Sequence, residues 1–120
     1  MSTGWIGVDL DGTLAHDDRR PEWDGYIGQP IPTMVMRVRG WLASGLDVRI
    51  VTARVAAGNI PEHDPRYPDR QRLAIQAWCV EHLGKALAVT CEKDYRMIEL
   101  WDDRAVQVIP NTGQRADGKA

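Results

Sequence analysis

The sequence has few cysteines and no long apolar run, and both absences restrict the kind of protein that it encodes. Cys79 and Cys91 are the only cysteines and do not form a Cys-x-x-Cys motif, so we expect reduced, structural thiols. No stretch approaches the roughly 20 apolar residues that a membrane helix needs, and the first residues lack a basic region and an apolar signal stretch. We therefore predict a cytoplasmic protein without a membrane partner.

An excess of charge of one sign is also missing. The formal net charge is −2, which gives no general electrostatic reason to expect nucleic-acid or membrane binding. The chain has 120 residues, of which 43% are hydrophobic and 27% charged, and this suits one globular domain with a real core. We predict a single domain over residues 1–110 and a flexible C-terminal tail over residues 111–120.

Strand and helix patterns alternate along the chain. Short apolar runs predict strands at residues 5–8, 48–51, 86–90 and 105–109. Helical spacing predicts one helix from Thr33, as its N-cap, to Gly45, and another over residues 70–83 capped by Asp69. The predicted apolar face of the first helix consists of Met34, Val35, Val38, Trp41 and Leu42, and that of the second of Leu73, Ala77, Val80 and Leu83. This order predicts an α/β fold with right-handed βαβ crossovers and a mainly parallel sheet.

The stretch Asp9-Leu10-Asp11-Gly12-Thr13 follows the first predicted strand. Asp9 and Asp11 are two residues apart, so in an extended backbone both carboxylates face the same side, and Gly12 allows a sharp turn. Buried carboxylates must be neutralised or paired, and Mg²⁺ takes oxygen ligands. The pattern therefore favours a cation site, and the alternative is an Asx-turn with two solvated acids.

Other polar side chains lie at or near the ends of the remaining predicted strands. Thr52-Ala53-Arg54 follows the second strand, Lys93 follows the third, and Asp102-Asp103 lies near the last. Because ligands of open parallel sheets bind at the carboxyl ends of the strands, we expect one common site. The acids would hold a cation, while the lysine and the threonine hydroxyl would contact phosphate oxygens. Lys85 is the other candidate lysine, but we expect it at the opposite edge of the sheet.

These residues, in this chain order, resemble the motifs of the haloacid dehalogenase-like phosphohydrolases. The resemblance implies a Rossmann-like three-layer sandwich, Mg²⁺ as cofactor, Asp9 as the nucleophile that forms an aspartyl-phosphate, and Asp11 as the general acid and then base. It also implies that Thr52, Ala53, Arg54 and Lys93 bind the substrate. The implied metal site consists of Asp9, Asp11, Asp102 and Asp103, with Asp11 contributing its backbone carbonyl, and we expect the four carboxylates to converge there. In that family a helix usually separates the lysine from the last acidic strand, and the eight residues between Lys93 and Asp102 are too few for one.

The chain also lacks room for the cap domain that such phosphatases usually carry. A capless member has an open site, which suits a phosphate on a bulky molecule such as a nucleic-acid end or a nucleotide, or a lid donated by a second subunit of a homo-oligomer. Residues 55–68 are a candidate partial lid. Thr52-Ala53-Arg54 also resembles phosphatase domains that process nucleic-acid ends. We expect four arginines, which suit phosphates, to border the crevice: Arg19, Arg20, Arg54 and Arg66.

Two alternatives are not enzymes. A response-regulator receiver domain has a similar length and similar residue types, but its phospho-accepting Asp ends the middle strand, where this chain has Thr52. A phospho-binding module that kept the fold and lost catalysis is the other. The sequence leaves open the identity of the substrate, the oligomeric state, and whether phosphate is transferred to water or to another acceptor.

Overall fold

The fold is α/β, with a four-stranded parallel sheet and two α-helices in the part of the chain that the computed structural model describes, residues 4–20, 25–59 and 64–120. The strands are β1 (Trp5–Asp9), β2 (Asp47–Val51), β3 (Ala88–Thr90) and β4 (Met97–Trp101), in the sheet order β3-β2-β1-β4. The helices are α1 (Pro32–Ala43) and α2 (Tyr67–Leu83), and two 3₁₀ turns span Ala53–Val55 and Ala57–Asn59. The predicted α/β class with a parallel sheet is confirmed. Neither α-helix in these ranges has the length and apolar character needed to span a membrane.

Both helices lie on the same face of the sheet. The chain steps from β1 to β2 through α1, and then to β3 through α2, in the same direction along the sheet. Right-handed crossovers that step in one direction place their helices on one face. The helices also contact each other, because the Arg39 guanidinium of α1 donates two hydrogen bonds, of 2.8 and 3.1 Å, to the carbonyl of His82 of α2.

The hydrophobic core lies between the helices and the sheet. Alternate side chains of the strands face it, including Ile6 and Val8 of β1 and Ile50 of β2, and each such burial contributes roughly 1.5–3 kcal/mol. The helices supply Met34, Val38, Ile75, Trp78, Cys79 and Leu83 to the same cluster. Leu10 and Leu14, just past β1, are fully buried in it and anchor the loop that carries Asp11.

The opposite face of the sheet is crossed by residues 91–96, the connection from β3 to β4. Asp94 of this connection accepts a hydrogen bond from the Trp5 indole at 2.9 Å and lies 3.9 Å from the Arg49 guanidinium. The Arg49 guanidinium stacks on the Trp5 ring. In the described ranges a segment without helix or strand therefore crosses this face, where the three-layer arrangement expects helices.

Helix α1 largely follows its sequence pattern. It begins at Pro32, and Ile31 rather than Thr33 is the N-cap, without a side-chain hydrogen bond. Proline suits this position because the first helical N–H groups have no partner inside the helix. The predicted apolar face is correct, since Met34 and Val38 are buried and Val35, Trp41 and Leu42 pack against the core. Gly45 ends the helix in the left-handed conformation, with a φ of 81°.

The predicted start of α2 is wrong, and of the four residues in its predicted buried face only Leu83 is buried. The helix begins at Tyr67, its N-cap is Arg66, and Asp69 lies within the first turn. Leu73 and Val80 are 67% and 52% exposed, and Ala77 is exposed as well. The buried face instead consists of Tyr67, Gln71, Ile75, Trp78, Cys79 and Leu83. Gly84 terminates the helix with a φ of 81°, as predicted.

The predicted last strand at residues 105–109 is also wrong. The last strand is β4, which ends at Trp101 directly before the acidic pair. Downstream, Val108 and Arg115 form an isolated antiparallel bridge, supported by hydrogen bonds from the Ile109 amide to Gln114 and from the Ala116 amide to Gln107. Residues 111–120 thus begin with a turn that folds back on the preceding segment, and their flexibility stays a prediction.

Candidate active site

Three strand ends bring the polar residues of the sequence motifs together. Asp9 is the last residue of β1, and Thr52 and Asp102 directly follow β2 and β4. In the parallel register Asp9 is opposite Val51, and Val8 is opposite Trp101. The two strands that neighbour β1 therefore end beside Asp9. This is the carboxyl edge of the sheet, where ligands of such folds bind.

Three carboxylates form a cluster at this edge, which we call the acid triad: Asp9, Asp102 and Asp103. One oxygen from each lies within 4.8 Å of the others. Asp9 and Asp102 are half-buried, whereas Asp103 is exposed. The triad includes three of the four acids that the sequence predicts as metal ligands, and the carboxylate of Asp11 is outside it.

The surroundings of Asp9 disfavour its negative charge. Burial, then the charge of Asp102, and then the hydrogen bond and charge of Asp103 raise the pKa of Asp9 from 3.8 to about 7. A hydrogen bond from the Leu10 backbone acts in the opposite direction but is weaker. A nearby cation would relieve this repulsion and favour the ionised carboxylates.

Hydrogen bonds and a close backbone contact hold the two acids that follow β4. The amide of Arg104 donates to Asp102 at 2.7 Å. The amide of Asp103 donates to the Thr13 hydroxyl at 3.1 Å, and that hydroxyl donates back to the Asp103 carboxylate at 3.4 Å. Gly12 has a φ of 88°, and a Cβ atom there would lie 2.6 Å from Oδ2 of Asp103. The turn after β1 thus fits closely around Asp103.

The donor set of the acid triad fits a hard divalent cation. Three carboxylate oxygens lie close enough together to share one ion, and Mg²⁺ is usually held by a few carboxylates together with water and substrate oxygens. Burial, and after it the charges of Asp102 and Asp103, raise the pKa of Asp9, and a bound cation would oppose these effects. Asp9, Asp102 and Asp103 are therefore the residues that could hold a metal.

Asp11 forms an ion pair with Arg54. The guanidinium donates from Nε to one Asp11 carboxylate oxygen at 2.8 Å and from a terminal nitrogen to the other at 2.7 Å. Both side chains are mostly shielded, with 30% of Asp11 and 14% of Arg54 exposed. The structure thus separates the two acids of the first motif, with Asp9 in the triad and Asp11 bound to an arginine.

Thr52 and Ala53 lie beside this ion pair. Thr52 is 3% exposed, and its amide donates to the carbonyl of Thr90 in the neighbouring strand. Its hydroxyl oxygen accepts the amide N–H of Arg54 at 3.2 Å, which begins the 3₁₀ turn. Both Thr52 and Ala53 line the pocket described next, so the hydroxyl can donate to a bound anion.

A pocket of about 500 Å³ opens at the carboxyl edge of the sheet. Its lining includes Asp9, Asp11, Asp102 and the segment Thr52-Ala53-Arg54, all predicted from the sequence. Of the four arginines expected at the crevice, the lining includes Arg20 and Arg54. Ala56, from the predicted partial lid, also lines it, and the lining residues that were not predicted from the sequence are His16, Asp17, Asp18, Tyr26, Gly28, Val51, Cys91 and Arg104.

These additional residues come mostly from loops that follow strands. His16 and Asp18 follow the first motif and are bonded to each other at 2.7 Å. Cys91 directly follows β3, and Arg104 follows the acidic pair. The signal that could have found them is their short distance along the chain from the end of a strand.

Neither candidate lysine is among the described residues that line the pocket. Lys93 is exposed in the connection that leaves the carboxyl edge after β3. Lys85 is exposed just before β3 begins, at the amino edge, as predicted. Of the predicted partial lid, residues 60–63 lie outside the described part, and Ala56 reaches the pocket.

Comparisons with protein-family models, with curated proteins and with solved structures found no match for this chain. The function is therefore inferred from the geometry of the pocket and from the motifs in the sequence.

Proposed function

We propose that this protein is a Mg²⁺-dependent phosphomonoesterase of the haloacid dehalogenase-like type that acts in the cytoplasm. The observation that carries the proposal is that two members of the acid triad, Asp9 and Asp102, line one pocket together with Thr52, at the carboxyl edge of a parallel sheet. These groups are the ones that a phosphoryl-transfer site needs: a carboxylate nucleophile, cation ligands and a donor to phosphate oxygens. Residues 91–96 would take the place of the second helical layer of the Rossmann-like sandwich, and no cap domain would be present.

Asp9, Asp102 and Asp103 would hold the Mg²⁺, together with the Asp11 carbonyl that the resemblance implies. When bound, the ion supplies positive charge that neutralises phosphate oxygens and favours the ionised form of Asp9. The Thr52 hydroxyl would donate a hydrogen bond to a further phosphate oxygen. Lys93, predicted to do the same, would need to move toward the pocket, while Arg20 and Arg104 already line it.

The reaction has two steps. In the first, a carboxylate oxygen of Asp9 attacks phosphorus, the bond from phosphorus to the leaving-group oxygen breaks, and Asp11 gives that oxygen a proton. In the second, a water attacks the aspartyl-phosphate, Asp11 takes a proton from the water, and the bond from Asp9 to phosphorus breaks. Inorganic phosphate leaves, and both aspartates return to their starting states.

The substrate would be a phosphate ester on a bulky molecule, with a nucleic-acid end or a nucleotide as candidates. The pocket volume of about 500 Å³ is in the range of small-molecule sites, so it accommodates a phosphate and the group next to it. Arg20 and Arg104 in the lining suit additional phosphates. The remainder of a longer substrate would extend into solvent.

Turnover of p-nitrophenyl phosphate tests this proposal. We expect turnover that requires Mg²⁺ and is lost with EDTA. Asp9→Asn should lower kcat by roughly 10³-fold or more while the protein stays folded, because an amide cannot form the acyl-phosphate. Asp117→Asn, which changes an exposed carboxylate paired with Arg115, is the matched control and should keep the wild-type rate.

Two outcomes would contradict the proposal. Activity that survives EDTA would exclude the metal, and an Asp9→Asn protein within about tenfold of the wild-type rate would exclude the nucleophile. A wild-type protein that binds phosphate with Mg²⁺ but releases no product would instead be the phospho-binding module considered above.

A further inference from the structure

Arg54 is bonded on several sides by protein groups. Besides its two hydrogen bonds to Asp11, its guanidinium donates to Oε1 of Gln71 at 3.1 Å and to the Tyr26 carbonyl at 2.7 Å. A guanidinium has five N–H donors in a fixed plane, and four donor–acceptor contacts within the protein use most of them. The side chain borders the pocket and is 14% exposed, so what limits its contact with a substrate is that these protein groups already use most of its donors.

The partners of Arg54 fix its orientation relative to the first motif. Gln71 is 5% exposed and belongs to α2, so this contact connects the guanidinium to the core of the domain. Tyr26 lies in the segment before α1, and the amide of Arg54 is bonded to the Thr52 hydroxyl. One arginine thus connects Asp11 with three other parts of the fold, and its planar, bidentate contact sets the plane of the Asp11 carboxylate.

We propose that Arg54 is a positioning residue for Asp11, the proton-transfer group of the proposed phosphatase, rather than a ligand of the substrate phosphate. This inference rests on the proposed function. An ionised carboxylate offers about four lone-pair sites, and the two bonds to Arg54 leave sites for the proton that Asp11 exchanges with the leaving group and water. The ion pair also keeps the Asp11 carboxylate apart from the acid triad, which would otherwise gain a fourth repelling charge.

Two aryl phosphates of similar size but different leaving groups test this role. Phenyl phosphate has the more basic leaving group and needs the proton from Asp11 more than p-nitrophenyl phosphate does. Asp11→Asn should therefore lower kcat more on phenyl phosphate, within the roughly 10²–10⁴-fold that general acid–base catalysis contributes. If Arg54 acts through Asp11, Arg54→Ala should show the same preference for the better leaving group.

We expect Arg54→Ala to lower kcat on phenyl phosphate by about 10–10²-fold, with a smaller loss on p-nitrophenyl phosphate and KM within about threefold of wild type on both. Adding Arg54→Ala to Asp11→Asn should cause little further loss, because residues that act as a unit are not additive. Arg54→Lys should restore part of the rate, since lysine keeps the charge but cannot make the bidentate contact. Arg70→Ala, which removes an exposed arginine paired with Asp64, is the matched control and should match wild type.

The outcomes separate this inference from the proposed function. A raised KM, an equal loss on both substrates or additivity with Asp11→Asn would identify Arg54 as a phosphate ligand and overturn the inference alone. A faster Arg54→Ala enzyme would also overturn it, because the ion pair would then restrain Asp11. If Arg54→Ala fails to fold, which thermal unfolding will show, Arg54→Lys decides by the same leaving-group comparison. A wild-type protein without Mg²⁺-dependent turnover would overturn the proposed function, and this inference with it.

Discussion

Replacement of Gly12 by alanine tests how the first motif holds the acid triad. Gly12 has a φ of 88°, and an added Cβ would lie 2.6 Å from Oδ2 and 2.9 Å from Cγ of Asp103. The Asp103 carboxylate cannot move without loss, because the Thr13 hydroxyl donates to it and Asp9 is hydrogen-bonded to it. We therefore expect Gly12→Ala to strain the backbone and to displace one predicted metal ligand.

The two effects have different magnitudes and different controls. A left-handed conformation costs a non-glycine residue about 1–2 kcal/mol. With the unfolding entropy that is typical of a domain of 120 residues, this free-energy cost lowers the Tm by about 4–8 °C. Gly45 has a similar φ of 81° but no atom within 4 Å of an added Cβ. Gly45→Ala should therefore cause a comparable loss of Tm without touching the site.

The assay compares Mg²⁺ binding by calorimetry, together with turnover, in the two alanine variants. Misplacing a metal ligand or its support typically costs about 10–100-fold in affinity, and we expect a loss of this size for Gly12→Ala. Gly45→Ala should bind Mg²⁺ as the wild type does. Wild-type affinity in Gly12→Ala, or an equal loss in both variants, would refute the argument that the contact between Gly12 and Asp103 orders the site.

Two further predictions concern metal removal and the substrate. In the metal-free protein the free energy of unfolding should fall as pH rises from about 4 to about 7, because folded Asp9, with its pKa raised from 3.8 to about 7, still binds a proton that unfolded Asp9 has released. Thermal scans should show that Asp9→Asn weakens this dependence of stability on pH, and that Mg²⁺ raises the Tm most above pH 7. A Tm that does not change with Mg²⁺ would contradict the metal site. Measured kcat/KM should be higher on a 3′- or 5′-phosphorylated oligonucleotide than on small sugar phosphates, and should decrease with salt. A preference for one small metabolite without a salt effect would instead indicate a lid donated by a second subunit.

The first two strands and α1 were predictable because local pattern and tertiary environment agree. A β-branched run such as Val48–Val51 has one favoured environment, a buried parallel strand. Residues 105–109 have a similar composition but form no strand, because the parallel register of β4 with β1 is set by pairing over residues 97–101. Pairing of distant segments is not encoded in the composition of either one.

The buried face of α2 could not be chosen from spacing. Leu73, Ala77 and Val80 recur at helical intervals, and so do Gln71, Ile75 and Trp78 on another face. Packing against the sheet and α1 decides between them, and the larger side chains of Ile75 and Trp78 are the ones buried. The glutamine on that face is retained because it has a partner, the Arg54 guanidinium.

The site was predictable where it depends on strand ends and unpredictable where it depends on long-range partners. Asp9 and Thr52 follow directly from the rule that ligands bind at carboxyl ends of parallel strands. Asp102 rested on the motif resemblance, because the predicted last strand, residues 105–109, begins after it, whereas β4 ends directly before it. The ion pair of Asp11 with Arg54 joins residues 43 positions apart, so spacing gave no indication that one motif residue would bind another. The pattern identified both residues and could not assign them to each other.

The placement of Lys93 follows from the length of the connection between β3 and β4. These strands lie at opposite edges of the sheet, so the chain must cross two intervening strands and also return from the carboxyl edge to the amino edge. The diagonal distance from the end of β3 to the start of β4 is about 20 Å. The segment from Thr90 to Met97 reaches at most about 24 Å when fully extended. The connection therefore has too little slack for a helix and must leave the carboxyl edge within a few residues, so Cys91 lines the pocket and the exposed Lys93 does not. Among the described residues that line the pocket, the positively charged side chains are the arginines Arg20, Arg54 and Arg104 rather than a lysine.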